Sequence, residues 1–176
     1  GANAGSNAAG YVRNSLDKKG EGALNNALKH AEQRIDALCK SEGNESHADI
    51  KIALNKVMDN NVGIFRNASK LKEAVNEVKT LQERYKRIKI NYTGKRVNIN
   101  LVWALELNGS LDVAEAVIAG ALAREESRGS HFRTDFPARD DTGWLKHTLA
   151  YFTPEGVRLD YKPVNIGSFE PKERKY

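Results

Sequence analysis

The spacing of apolar residues is the feature that most constrains the fold of this chain. Over residues 21–122, apolar side chains recur at steps of three and four, which places them on one face of a helix. After Gly143 the period changes to two, which is typical of β-strands. The sequence therefore predicts a mostly α-helical protein with a short β-structure near its C-terminal end.

Three helices are predicted in the first half of the chain. The first lies between Glu21 and Lys40, and the second runs from about His47 to Asn60. The third is expected to begin at Ser69 as its N-cap. Its a/d seam consists of Leu71, Ala74, Val78, Leu81, Tyr85 and Ile88. Between the second and third helices, we interpret Ile64 and Phe65 as core residues at a helix junction.

The longest apolar stripe predicts a fourth helix. It begins near Asn98 or Asn100 and is expected to end at Gly129, while Asn108-Gly109 kinks it or divides it in two. Its predicted inward residues are Leu101, Leu105, Leu111, Ala114, Val117, Ile118, Ala121 and Leu122. The predicted fold is an antiparallel, up-and-down bundle of three to four helices, similar to a spectrin repeat.

The alternating pattern predicts a β-hairpin after the bundle. Leu145–Tyr151 and Val157–Tyr161 alternate between apolar and polar positions, and Pro154-Glu155-Gly156 lies between them. An irregular charged tail follows. We expect a helical segment over 21–143, which includes a loop over 125–143, and a segment over 144–176 that contains the hairpin and tail.

Composition excludes several classes of protein. The chain has 176 residues, 40% hydrophobic and 29% charged, which suits one soluble domain with a core. No apolar run approaches the roughly 20 residues of a membrane helix, and no signal peptide is recognised. The single cysteine excludes an internal disulfide framework. The four histidines share no i, i+4 spacing and Cys-x-x-Cys is absent, so a metal site is unsupported.

The residues allow two further functions, nucleic-acid binding and nucleophilic catalysis. The cations between Lys70 and Arg96 form a possible nucleic-acid stripe, but interspersed glutamates favour a solvated helix face. The net charge of +5 is mild and does not demand nucleic acid as a partner. Ser127 beside His131 suggests a nucleophile, but the pair lacks a strand-turn-helix elbow. Neither alternative becomes the preferred interpretation.

The loop over residues 125–143, together with Trp144 and His147, carries a dense mixture of charges and aromatic residues. It has the pattern Glu-Ser-Arg-Gly, then His, Arg, Asp, an aromatic residue and Pro, then Arg-Asp-Asp, Trp and His. The matching residues are Glu126, Ser127, Arg128, Gly129, His131, Arg133, Asp135, Phe136, Pro137, Arg139, Asp140, Asp141, Trp144 and His147. This signature resembles the C-terminal domain of the succinate dehydrogenase and fumarate reductase flavoprotein subunit. L-aspartate oxidase is similar over the first half of the pattern only.

The resemblance implies a role within a larger oxidoreductase. In that family, the full-length FAD protein moves a hydride between succinate and the flavin, and electrons pass to iron–sulfur centres and a quinone. The implied partners are the FAD-binding domain of the same subunit, an iron–sulfur subunit and, indirectly, membrane anchor subunits, with no nucleic acid. The implied location is peripheral, on the cytoplasmic side of the membrane. This polypeptide alone is expected to be inactive and to contain no FAD.

The first residues also resemble a family motif. The FAD-binding domain of the family ends with Gly-Ala-Asn-Arg-Leu-Gly-x-Asn, and Gly1, Ala2, Asn3, Gly5 and Asn7 are similar to it. Ala4 replaces the Arg-Leu pair, so the arginine that grips a substrate carboxylate in the family is missing. Segment 1–20 is interpreted as the end of an FAD-binding domain or a disordered terminus. The resemblance implies that Ser6, Asn7, Ala8 and Ala9 present backbone N–H groups to the flavin at a helix start.

Five loop residues are predicted to form an interdomain or subunit interface. They are Arg128, His131, Arg133, Asp135 and Arg139. Burying so many polar groups against an isolated bundle without partners would be unfavourable. The isolated domain is therefore expected to tolerate Arg128→Ala and Arg133→Ala. A stand-alone helical interaction module and the C-terminal domain of L-aspartate oxidase remain the alternatives.

Overall fold

The computed structural model describes residues 1–15, 20–94, 96–168 and 172, and they group into two compact units. The first unit, Gly1–Lys40, contains helices α1 (Ala2–Ser15) and α2 (Gly20–Cys39). Helix α2 is the first predicted helix, and much of its apolar stripe faces solvent, with Leu24 70% and Leu28 59% exposed. The second unit, Ser41–Tyr176, contains the remaining elements. The predicted segment boundaries at residues 20 and 143 stay a prediction.

Three helices that pack against one another form the core of the second unit. They are α3 (His47–Val62), α4 (Ala68–Tyr85) and α5 (Ile99–Ala123). The buried apolar residues of these helices are Ile50, Leu54, Val57, Val62, Leu71, Ala74, Val78, Leu81, Ala104, Leu107, Leu111, Ala114, Ile118 and Ala121. Each fully buried large side chain stabilises the fold by about 1.5–3 kcal/mol. The predicted helical bundle followed by a hairpin is confirmed.

Side chains cap the start of each bundle helix. The Ser46 hydroxyl accepts a hydrogen bond from the Asp49 N–H at 3.4 Å, and the Asn98 side chain accepts one from the Leu101 N–H at 3.0 Å. For α4 the cap is Asn67, whose amide oxygen accepts from the Lys70 N–H at 2.9 Å. The prediction of Ser69 as N-cap is wrong, because the extended backbone of Asn67 already places a better acceptor two residues earlier.

Helix α5 is continuous, and its predicted end is wrong. Asn108-Gly109 does not divide it, a kink there stays a prediction, and the helix ends at Ala123 rather than at Gly129. A glycine inside a helix costs about 1 kcal/mol, which the burial of Leu107 and Leu111 on either side outweighs. Val117, which was expected to face inward, is 42% exposed.

A short parallel strand pair joins the end of α3 to the loop after α5. Strand β1 (Phe65–Arg66) pairs with β2 (Phe132–Arg133), in the register Phe65↔Phe132 and Arg66↔Arg133. The interpretation of Ile64 and Phe65 as core residues is wrong, since they are 60% and 71% exposed. Their backbone makes the contact instead, because the Phe132 N–H donates to the Ile64 carbonyl at 3.3 Å.

The predicted hairpin is present and packs on α5. Strands β3 (Lys146–Thr153) and β4 (Gly156–Pro163) pair antiparallel, with Thr153 opposite Gly156 at the closed end. Gly156 has a φ of +115°, a backbone conformation that favours glycine. Across the ranges that the structure describes, no helix is both long and apolar enough to cross a membrane.

Candidate functional site

The loop over residues 125–143, here called the signature loop, is organised around a buried carboxylate. Glu126 is 0% exposed and accepts hydrogen bonds from the guanidinium groups of Arg124 and Arg128. It also accepts from the Asp140 N–H at 2.9 Å. Burial by itself would raise the pKa of Glu126, but the bonds from Arg128, the Asp140 N–H and Arg124 outweigh it and lower the pKa. The carboxylate is therefore ionised, and it fixes the loop by charge-assisted bonds.

A second buried ion pair connects two helix ends. Arg133 is 1% exposed, and its Nη1 donates to the carbonyls of Ala121, Leu122 and Arg124, each at 3.0 Å. These are acceptors that the C-terminus of a helix leaves without partners, and a cation there is favourable. Its remaining nitrogens pair with Asp135 at 2.8 and 2.9 Å.

Asp135 connects this pair to the neighbouring helix α4. Its Oδ2 accepts from the Ala68 N–H at 2.9 Å, at the N-terminus of α4, where negative charge is favourable. The hydrogen bonds from Arg133 are the main cause that holds the pKa of Asp135 well below its usual value. The Arg133–Asp135 pair therefore joins the end of α5 to the start of α4.

A more exposed ion pair closes the far end of the loop. Asp141 accepts from Arg139 at 2.8 and 2.6 Å and from Arg128 Nη2 at 2.7 Å. These bonds, first from Arg139 and then from Arg128, lower the pKa of Asp141 to about 2. Asp140 caps the same turn, because its Oδ1 accepts from the N–H groups of Thr142 and Gly143 at 2.9 Å.

Arg124 connects the signature loop to the hairpin. Its guanidinium donates to the carbonyls of Trp144 at 3.0 Å and Lys146 at 2.6 Å and to the Thr148 hydroxyl at 3.2 Å. It also lies 5.0 Å from the centre of the Trp144 ring, within the range of a cation–π interaction. The sequence interpretation missed Arg124 and Glu126 as functional residues. The sequence pattern that could have indicated them is a glutamate, Glu126, with an arginine two residues before it and another two residues after it.

Ser127 and His131 have separate partners. The Ser127 hydroxyl accepts from the Arg133 N–H at 2.9 Å and donates to the Phe136 carbonyl at 2.8 Å. The His131 ring instead contacts Arg66 Nη1 at 2.7 Å and the Arg124 carbonyl at 3.3 Å. The hydroxyl of Ser127 serves the fold of the loop, so the geometry gives no support to a nucleophile there.

Sequence comparison identifies the family. Residues 51–176 match the family described as fumarate reductase flavoprotein C-term. The fumarate reductase flavoprotein subunit of Haemophilus influenzae is 38% identical over 157 residues, which is 89% of this chain and 26% of that protein. The chain belongs to this family. The succinate dehydrogenase flavoprotein subunit of Rickettsia bellii is 39% identical over 141 residues, or 80% of this chain and 24% of that protein.

Structural comparison agrees with this assignment. A structure of Escherichia coli quinol fumarate reductase is similar with a TM-score of 0.85 and 34% identity, over 90% of this chain and 28% of that chain. The chain thus spans 24% to 28% of the length of these relatives, and it matches their C-terminal part. The L-aspartate oxidase alternative is not favoured.

The structure places the predicted flavin-binding residues inside a helix. Ser6, Asn7, Ala8 and Ala9 belong to α1, which begins at Ala2. Only the first turn of a helix leaves its N–H groups without intrahelical partners, and these four residues follow it. These four residues therefore do not lie at a helix start, and their role in flavin binding stays a prediction. Residues 2–15 of the predicted segment 1–20 form α1.

The predicted interface residues divide into two groups. Arg133 lies inside the domain with internal partners, so its guanidinium is not available to another domain and the predicted interface role does not fit. The side chains of Arg128, Asp135 and Arg139 are 28%, 31% and 20% exposed. His131 is half-buried. An interface role for these four stays a prediction.

The residues that the structure describes contain neither a cluster of metal ligands nor a buried polar side-chain atom without a partner. Its residues contain no group of three or more His, Cys, Asp or Glu that could hold a metal ion. Every buried polar side-chain atom described there has a hydrogen-bond partner in the protein. The network connects α4, α5 and the hairpin through the hydrogen bonds of Asp135, Arg133 and Arg124.

Proposed function

We propose that this chain is the C-terminal helical domain of an FAD-dependent succinate dehydrogenase/fumarate reductase flavoprotein subunit. The whole subunit would interconvert succinate and fumarate and pass electrons to iron–sulfur centres and a quinone. The observation that carries the proposal is the identity of 38% to a fumarate reductase flavoprotein subunit over 89% of this chain. The similarity to a quinol fumarate reductase with a TM-score of 0.85 supports it.

The contribution of this domain is to pack against and stabilise the catalytic part of the subunit. Its partners would be the FAD-binding domain of the same subunit and an iron–sulfur subunit, with membrane anchor subunits contacted indirectly. The location would be peripheral, on the cytoplasmic side of the membrane. Phe65, Trp103 and Val113 are 71%, 52% and 62% exposed and are available for such contacts.

FAD would be held by the remainder of the subunit. When bound, it supplies the hydride acceptor and donor chemistry. The described residues of this chain contribute a rigid loop through Glu126 and Arg133 rather than groups that contact the flavin. We expect the purified polypeptide to show no flavin absorbance and no succinate-dependent dye reduction. Flavin near stoichiometry, or turnover with succinate, would contradict this assignment of roles.

A chimeric enzyme tests the proposed role directly. The matching part of the Escherichia coli fumarate reductase flavoprotein subunit, 159 residues at 36% identity, can be replaced by this chain. We expect the chimera to retain FAD and fumarate-dependent quinol oxidation, whereas a deletion of the same part should lose both. A matched chimera that carries Glu126→Ala should lose flavin more readily. A stand-alone interaction module would instead give a chimera no better than the deletion.

A further inference from the structure

One arginine near the signature loop is bonded differently from the others. Arg124, Arg128, Arg133 and Arg139 each bond a carboxylate. Within the described residues, Arg66 bonds only neutral acceptors. Its Nε donates to the carbonyls of Val62 at 3.1 Å and Gly63 at 2.7 Å, and its Nη1 lies 2.7 Å from Nδ1 of His131.

The protonation state of His131 follows from this geometry. A guanidinium has donors only, so Nδ1 of His131 must accept the bond from Arg66. The proton of the neutral ring then lies on Nε2, which can donate to the Arg124 carbonyl at 3.3 Å. One tautomer of the neutral imidazole therefore satisfies both contacts, whereas a protonated ring would present an N–H to the Arg66 guanidinium.

Cations surround the ring on all the elements that pack against it. Arg66 lies on β1, Arg124 follows α5, and Arg133 lies on β2. Two carboxylates of the signature loop, Glu126 and Asp135, are already bonded to Arg124 and Arg133. Burial is the main cause that lowers the pKa of His131, and these arginines lower it further, against an opposing effect of the Arg124 carbonyl.

The ring lies where two parts of the unit are joined. Arg66 contacts the end of α3 through Val62 and Gly63, and it follows Phe65 in β1. Across the strand pair, the Phe132 N–H donates to the Ile64 carbonyl at 3.3 Å and the Thr134 N–H to the Arg66 carbonyl at 2.8 Å. We call residues 64–66 and 131–134 the junction. The Phe65 and Phe132 rings also meet there edge-to-face, with centroids 5.6 Å apart.

We propose that His131 makes this junction sensitive to protons: the neutral imidazole holds Arg66, and protonation breaks that bond and loosens the β1–β2 pair. The repulsion between the imidazolium and three guanidinium groups adds to the loss of the bond. Loosening frees the segment that connects α3 to the signature loop while the apolar bundle stays folded.

The pH range follows from linkage. The folded-state pKa of His131 lies below the ordinary value of 6.5, so the neutral junction is fully stable above that value. Its stability is lost as the pH falls below 6.5 and through the folded-state pKa. Glu126 and Asp135 have lowered pKa values and stay ionised through this range, so they do not contribute to the change.

Amide hydrogen exchange of the polypeptide between about pH 5 and about pH 8 tests the proposal. After correction for intrinsic rates, we expect exchange of the Phe132 and Thr134 amides to rise several-fold at the acidic end. Amides in the core of α4, such as that of Val78, should not change. In His131→Gln, a neutral amide that can accept from Arg66 and donate to Arg124, the rise should disappear. The matched control His147→Gln, at an exposed position on β3, should behave like the unaltered chain.

A measurement on the unaltered chain tests the proposal even if His131→Gln does not fold. Nitrogen chemical shifts of the His131 ring near pH 8 should report a neutral ring protonated on Nε2 only. A ring protonated on Nδ1, or on both nitrogens, would overturn the proposal. It would also be overturned by junction amides whose protection is the same at both ends of the pH range, or by an acid response that persists in His131→Gln.

Discussion

The helical core of the second unit and the buried centre of its signature loop are held together by different forces. The core consists of apolar side chains, and Leu71, Leu81 and Ile118 among them are at most 5% exposed. In the loop, the buried residues are Glu126 and Arg133, each at most 1% exposed. Apolar packing is non-directional and tolerates small rearrangements. A buried ion pair is favourable only when every donor and acceptor is satisfied, so the loop depends on the geometry of individual bonds.

The largest effect should come from breaking the loop network at Arg133. We expect Arg133→Ala to lower the free energy of unfolding by about 3–5 kcal/mol, because the helix-end carbonyls of Ala121 and Leu122 lose their donor and Asp135 loses two charge-assisted bonds. Arg133→Lys should not restore stability, since an ammonium group cannot reproduce the planar fork of bonds. Urea titration provides the measurement.

Arg139→Ala is the matched control for this prediction. Arg139 also pairs with a carboxylate, but Asp141 is a surface residue, and exposed pairs contribute little. Equal unfolding midpoints for Arg133→Ala and Arg139→Ala would contradict the distinction between internal and surface pairs. They would also restore the expectation that the isolated domain tolerates loss of Arg133.

A somewhat smaller effect is expected in the apolar core. Leu81 is 5% exposed on the inner face of α4, and Leu81→Ala should cost about 2–5 kcal/mol through lost burial and a cavity. Lys79→Ala, on the exposed face of the same helix, should stay within about 0.5 kcal/mol. Similar losses in urea titrations of both variants would mean that the seam of α4 has been assigned to the wrong face.

The smallest separate effect should appear in the acid dependence of stability. Asp135, Asp141 and Glu126 have folded-state pKa values below their ordinary values of 3.8, 3.8 and 4.5. The contribution of each group is present above its ordinary value and is lost as the pH falls through its folded-state pKa, which for Asp141 is about 2. Asp135→Asn should reduce this slope, whereas Leu81→Ala should lower stability by a similar amount at each pH. If the free energy of unfolding changed with pH at the same slope in both variants, the predicted electrostatic contribution of Asp135 would be contradicted.

The sequence by itself determined the existence of helices α2 to α5 and of the C-terminal hairpin. The three-four spacing of Leu71, Ala74, Val78 and Leu81 gave a helix whose inner face is buried, and the alternation after Gly143 gave the hairpin. These predictions succeeded because helix and strand periods are local and repeat over many residues. The signature motif also gave the family, which the match over residues 51–176 confirms.

Only the tertiary structure decided which polar groups meet. The sequence placed Arg133 at an interface, but the fold brings it to the carbonyls that end α5 and, through Asp135, to Ala68 at the start of α4. Likewise, the sequence predicted Ile64 and Phe65 as core residues, but their side chains are exposed. Their segment contacts strand β2 through the backbone instead. Hydrogen bonds join groups of this loop to groups up to 68 residues away along the chain, so no local pattern records them. Hydrophobic periodicity specifies which face is buried, whereas the partner of a charge depends on distances that exist only in the folded chain.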